Sequence, residues 1–139
     1  MSHTPTQPLT VTAAVAQAAQ RLSSAGLAFG HGTTNAEDEA AWLVLWRLGL
    51  PLDSDLSDAP DSTAHRNVTA EEAAAADALN DQRIQTRKPA AYHTHEAWLQ
   101  GVPFYVDERA IVPRSFIAEL LADGSIDDFL GEHTRRVLD

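Results

Sequence analysis

The sequence contains no cysteine. Disulfides, thiolate nucleophiles and cysteine-based zinc sites are therefore excluded together, and the reducing cytoplasm is the compartment this fits. No uninterrupted apolar run approaches the roughly 20 residues that span a bilayer, so no membrane association is expected. The first residues, Met1–Pro8, are polar and proline-containing, unlike a charged start leading into an apolar signal core. They read as a disordered lead. Positive charge is scarce: 10 Lys and Arg face 20 Asp and Glu, for a net charge of −10. That balance argues against direct nucleic-acid contact, which needs a basic face, and leaves a basic protein partner open. No internal repeat and no Gly-x-x-x-x-Gly-Lys phosphate loop is present.

What remains is a chain of 139 residues that is 44% hydrophobic with three Trp, enough for a real core. The length fits one ordinary domain, or a small domain plus the start of another. From Leu9 to Ser24, Val11, Val15, Ala18 and Leu22 recur at helical spacing, and Gly26 follows as a stop. Leu27–Thr34 is a glycine-rich connection. Asn35 is a good N-cap, with Glu37, Asp38 and Glu39 in the first turn where the helix dipole favours anions. The helix that follows is apolar almost all round and is expected at the centre of a bundle. Trp42 and Trp46, one turn apart, are expected to fill the core. Gly49 and Pro51 end this helix, and 51–67 is a polar, acidic loop.

Thr69 with Glu72 forms a capping box, worth about 1 kcal/mol, and Val68 can staple onto Ala73. An alanine-rich helix then runs to Lys88, where Pro89 blocks it. Beyond Pro89 the period changes. Ala97–Leu99 and Val102–Val106 flank Gln100-Gly101, a hairpin signal, and Pro103 points to an edge or a bulge. Ala110–Val112 is expected as a third short strand. Ser115 caps a helix over Phe116–Ala122 that stops at Gly124, Ser125 with Asp128 suggests a second helix start, and Arg135–Leu138 a new strand. A chain that stops while entering a strand looks cut.

Few residues suggest chemistry. His93-x-His95-Glu96 places metal-ligand types at alternate positions, which share a face on a strand. No further ligand cluster accompanies them, so no metal site is expected. Phe29-Gly30-His31-Gly32-Thr33 precedes a helix as phosphate loops do, but acids follow it, and glycines serving backbone geometry explain it better. Glu37–Glu39, Asp107 and Glu108 are carboxylates of the kind used in acid–base catalysis, and solvated caps and turns account for them. Ser115 has no His or Lys at a diagnostic spacing. No catalytic residue is assigned.

Three runs carry a family resemblance: Phe29–Thr33 with Asn35-Ala36-x-Asp38-Glu39-Ala40, Arg87–Tyr92, and Phe104–Arg109. Together they resemble the protein-(glutamine-N(5)) methyltransferases over most of the chain from Leu9 to Asp139. Ile111–Ser115 is similar to the branch that modifies a glutamine of the large-subunit ribosomal protein uL3. The release-factor branch usually has Pro-Arg-Pro-Glu-Thr-Glu where this chain has Pro113-Arg114-Ser115-Phe116-Ile117-Ala118-Glu119. Two positions depart from the family pattern. His93 follows Ala-Tyr where an apolar residue is common, and Ala110 replaces a usual β-branched residue.

The resemblance implies a mostly α chain: a helical substrate-recognition domain (9–90), a β-hairpin linker (91–112), and the start of a Rossmann-like α/β methyltransferase domain (113–139). It implies S-adenosylmethionine as cofactor of the full-length protein and a ribosomal protein as substrate. The family's cofactor loop and its Asn-Pro-Pro-Tyr motif do not occur in this sequence, so the chain alone is expected to be inactive and to hold no cofactor. Pro113, Arg114, Ser115 and Phe116 are similar to the segment bordering the family's cleft. Self-association through an exposed apolar strand at Val137–Leu138 is a further expectation. The rival readings are the release-factor branch and a non-catalytic protein-interaction module.

Overall fold

A computed structural model describes residues 8–136, of which about half are helical. Helix α1 (Val11–Ser24) begins where the Thr10 hydroxyl accepts from the Ala13 amide, and α2 (Ala36–Arg47) where the Asn35 side chain accepts from Asp38. Helix α3 (Ala70–Thr86) opens on the complete capping box, the Thr69 amide donating to Glu72 at 2.9 Å and the Glu72 amide to Thr69 Oγ1 at 3.1 Å. Each start is set by a side-chain oxygen satisfying an amide that the helix leaves orphaned. Gly26 and Gly49 follow α1 and α2 in left-handed backbone, whereas α3 ends on Arg87, a non-glycine residue at φ 59°.

The three helices share one core. Leu22, Leu43 and Leu45 are fully buried there, with Ala14, Ala18 and Ala40 between them. Burying each leucine contributes about 1.5–3 kcal/mol, and the alanines let neighbouring side chains fill the remaining volume. Val68 joins this core with Ala73 against it, as a staple requires. The 51–67 segment is irregular apart from a single 3-10 turn at Thr63–His65, and Asn67 bridges to Thr10.

The sequence beyond Pro89 holds a surprise. A short helix, α4 (Ala90–Thr94), precedes the hairpin and buries Ala90, Ala91 and Thr94. The hairpin strands are β1 (Glu96–Leu99) and β2 (Val102–Tyr105), antiparallel, with Leu99 opposite Val102. Gln100 (φ 48°) and Gly101 (φ 76°) both adopt left-handed backbone, the geometry of a two-residue turn whose twist matches the strands. Pro103 sits in a strand with one free edge, where its missing N–H costs no ladder bond. A second, smaller core under the hairpin contains Ala91, Ala97, Val106 and Val112, with Trp42 packed against it.

Three expectations need correction. Ala110–Val112 is not a strand: the Ala110 amide closes a turn onto Asp107 O at 3.0 Å and its carbonyl accepts from Tyr92 Oη, leaving no ladder to join. Ser125 does not cap a helix, because its side chain bonds Asp123 instead, and only a 3-10 turn at Asp127–Phe129 follows. Arg135 and Arg136 are not in a strand, while Val137 and Leu138 lie outside the described residues, as does nearly all of the expected lead. Helix α5 (Phe116–Ala122) starts at Ser115 as expected, but no residue of it is buried.

Candidate functional site

The glycine-rich loop before α2 is built around a buried charge pair. Glu39 projects from the first turn of α2 into the interior and accepts from Arg83 Nε of α3, the side chains being 2% and 1% exposed. Thr33 Oγ1 donates to the other Glu39 oxygen at 2.7 Å, and Arg83 Nη2 donates to Ala28 O at 3.0 Å. The Phe29 ring lies 6.0 Å from the Arg83 guanidinium carbon. Glu39 is thus not a solvated cap residue, contrary to the sequence reading. Gly32, at φ +101°, brings its backbone so close to Trp42 that a Cβ would stand 3.2 Å from the indole. Backbone geometry explains these glycines, and the loop's Thr33 points into protein while His31 and Thr34 stay exposed.

The runs Arg87–Tyr92 and Phe104–Arg109 meet in space. Lys88 pairs with Glu108, Tyr92 Oη donates to Ala110 O at 2.8 Å, and the Val106 amide donates to His95 O at 3.3 Å. The His95 ring stacks on Tyr105 with centroids 5.4 Å apart. Arg87 in turn donates from Nη2 to Gly26 O at 2.6 Å and from Nη1 to Ala25 O at 3.3 Å, clamping the end of α1. These contacts fix the hairpin against the helical core.

The two histidines do not share a strand face. His93 lies in α4 with Nε2 2.9 Å from Thr86 Oγ1, while His95 follows in left-handed backbone with Nδ1 3.2 Å from Val106 O. Burial, with the nearby Arg83 and Lys88 charges, lowers the His93 pKa. Glu96 is engaged elsewhere: its carboxylate accepts from Trp46 Nε1 at 3.2 Å and from Trp98 Nε1 at 2.6 Å. Among the described residues no group of three or more His, Cys, Asp or Glu could hold a metal ion. Asp107 is held near about 2 by hydrogen bonds from the Arg109 side chain and backbone, so it stays ionised and is a poor proton carrier at neutral pH.

Arg114, Ser115 and Phe116 line a cavity of about 320 Å³ together with Glu119. One short segment supplies these four residues, so they offer a border for a ligand and not an enclosing cradle. Phe116 is 84% exposed, and Ile117, Leu120 and Leu121 of the same helix are also uncovered. Trp42 and Trp46 are half-buried and bridge towards the hairpin, whereas Trp98 on β1 is 48% exposed. The sequence reading missed the Glu39–Arg83 pair and the Glu96 carboxylate shared by two indoles. The signal for the first was present: Glu39 shares a helix face with Ala36, Ala40 and Leu43, and Arg83 with Ala76, Leu79 and Asn80.

No family model matches the chain. Similarity to curated proteins is nevertheless high. The chain is 50% identical over 129 residues to the ribosomal protein uL3 glutamine methyltransferase of Burkholderia pseudomallei, covering 89% of this chain and 39% of that protein. It is a homologue of that enzyme. The same name is carried by a Neisseria meningitidis serogroup B protein, 49% identical over 109 residues (77% of this chain, 34% of the relative), and by a Bradyrhizobium diazoefficiens protein, 45% identical over 126 residues (86% and 38%). The chain therefore spans between a third and two fifths of the length of these relatives. The resemblance to the glutamine methyltransferases read from the three sequence runs, and to their uL3 branch read from Ile111–Ser115, is borne out. No helix among the described residues is long and apolar enough to cross a membrane.

Proposed function

We propose that this chain is the N-terminal, substrate-recognition part of an S-adenosylmethionine-dependent methyltransferase that methylates N(5) of a glutamine side chain in ribosomal protein uL3. The observation that carries the reading is 45–50% identity, over 77–89% of the chain, to proteins named for that activity. On this reading 9–90 recognises the protein substrate, 91–112 links, and 113–139 begins a Rossmann-like domain. The uncovered apolar side chains of α5 suit a surface that the rest of the polypeptide packs against. Pro113, Arg114, Ser115 and Phe116 border the cleft from this side. The cofactor supplies the methyl group, and the residues present here form one edge for it, so the chain alone is read as inactive and unable to retain S-adenosylmethionine. On this reading the reaction is cytoplasmic, where ribosomal proteins are made.

The test is transfer of a labelled methyl group from S-adenosylmethionine to uL3. A polypeptide of the relatives' full length should label one glutamine of uL3, and the present chain should label none. Labelling of a release factor in place of uL3, or of neither protein, would overturn the proposal. Micromolar S-adenosylmethionine binding by the present chain in calorimetry would refute the placement of the cofactor.

A further inference from the structure

Two cavities adjoin along the hairpin side of the helical core. One, of about 380 Å³, is lined by Pro51, Leu52, Asp53, Trp98 and Gly101. The other, of about 410 Å³, includes Thr34, Asp38 and Trp42 in its lining, and it shares Leu52 and Trp98 with the first. The exposed Trp98 indole is their common wall. It is also the best-anchored exposed aromatic on this side: Glu96 accepts from its Nε1 at 2.6 Å, and Glu96 is itself held by Trp46 of the core helix at 3.2 Å. A ring fixed at its polar edge loses little freedom when its face is covered.

We propose that this groove docks a basic, extended segment of the protein substrate, with an arginine or lysine side chain lying over the Trp98 face. The inference rests on the methyltransferase reading for the identity of the partner and on the groove alone for its chemistry. Tryptophan is the strongest side-chain partner for a cation, through the negative face of its ring. Asp53 lines one cavity and Asp38, which also accepts from Thr34 and Asn35, lines the other, so each cavity carries a carboxylate and neither lining contains a Lys or Arg. Leu52 and Trp42 supply apolar floor between the charges. The chain carries a net charge of −10, which draws a basic segment in from a distance. The same charge disfavours a second copy of this chain, a nucleic acid or an anionic lipid surface as occupant.

The test uses this chain at low ionic strength, with the indole N–H resonances followed during titration with a short Arg-Gly repeat peptide and, separately, its Glu-Gly counterpart. The Trp98 resonance should move most, Trp46 should follow through Glu96, and the acidic peptide should move neither. Trp98→Ala should weaken binding about fivefold or more, the factor that a cation–π contact of about 1 kcal/mol carries. Asp53→Asn, at an exposed position outside the cores, should weaken it less while leaving the fold unchanged. Equal binding of the acidic peptide, unaltered affinity in Trp98→Ala, or displacement of the Trp98 resonance on concentrating the chain alone would each overturn the proposal. The readout involves no methyl transfer. Failure of the full-length polypeptide to methylate uL3 would thus sink the functional reading while leaving the groove's preference for cations standing.

Discussion

Glu39 and Arg83 meet in the interior across 44 residues of sequence, joining the first turn of α2 to the last turns of α3. Thr33 and the Ala28 carbonyl take up further bonds of the pair, so the loop between α1 and α2 is tied to the same two side chains.

Removing one partner leaves an uncompensated charge in a dry place. Glu39→Leu or Arg83→Met alone should each lower stability by about 3–5 kcal/mol. The double substitution should recover much of that loss, since well-packed apolar residues often replace a buried ion pair at little cost. Urea unfolding of the three variants checks this. A double variant no more stable than the singles would show that the pair contributes more than charge compensation.

Gln100 occupies the first of two left-handed turn positions, at φ 48°. Asparagine tolerates that region better than glutamine, and Asn-Gly is the preferred pair for this turn. Gln100→Asn should stabilise the hairpin by a few tenths of a kcal/mol, and Gly101→Ala should destabilise it by about 1–2 kcal/mol. Amide hydrogen exchange in β1 and β2 reads both effects locally, and protection that rises in Gly101→Ala would contradict the turn geometry.

Asp107 has its carboxyl lowered from 3.8 to about 2, chiefly by the Arg109 side-chain hydrogen bond and then by the Arg109 amide. A depressed folded value means the contribution is complete above the unfolded value near 3.8 and disappears as pH falls through about 2. Arg109→Gln should return the carboxyl towards its ordinary range, followed by carboxyl resonance shifts between pH 1 and 6. An unchanged midpoint in that variant would assign the shift to something other than Arg109.

Helix α5 presents Phe116, Ile117, Leu120 and Leu121 to solvent. At high concentration the chain should self-associate through this face, and more readily in high salt, which screens repulsion between acidic copies. Phe116→Ser combined with Leu120→Ser should weaken the association roughly tenfold. Sedimentation or size-exclusion measurements that stay monomeric for the parent chain at every concentration would rule it out.

The sequence was most legible where the cause of structure is local. Asn35, Thr69 and Ser115 each cap a helix through an amide three residues on, so the starts of α2, α3 and α5 could be placed by spacing alone. The Gln100-Gly101 turn was equally local. Helix α4 was missed because it is short, follows a proline and has no side-chain cap, so nothing distinguishes it from an extended approach to the hairpin. Ala110–Val112 looks like a strand in composition, but a strand needs a neighbour, and Asp107 and Tyr92 take its polar groups first. Glu96 was misread for a related reason: its true partner Trp46 lies 50 residues earlier. Spacing reveals which residues share a face and says nothing of which faces will meet.

Arg87 grips Ala25 and Gly26 by their carbonyl oxygens alone. A side chain that holds main chain has no partner residue whose replacement could compensate for its loss. Drift at position 25 leaves the clamp intact, since only Gly26 is held to glycine by its left-handed backbone, while a change at 87 breaks it outright, so this contact between α1 and the hairpin approach would leave no trace of paired substitution in any set of aligned sequences.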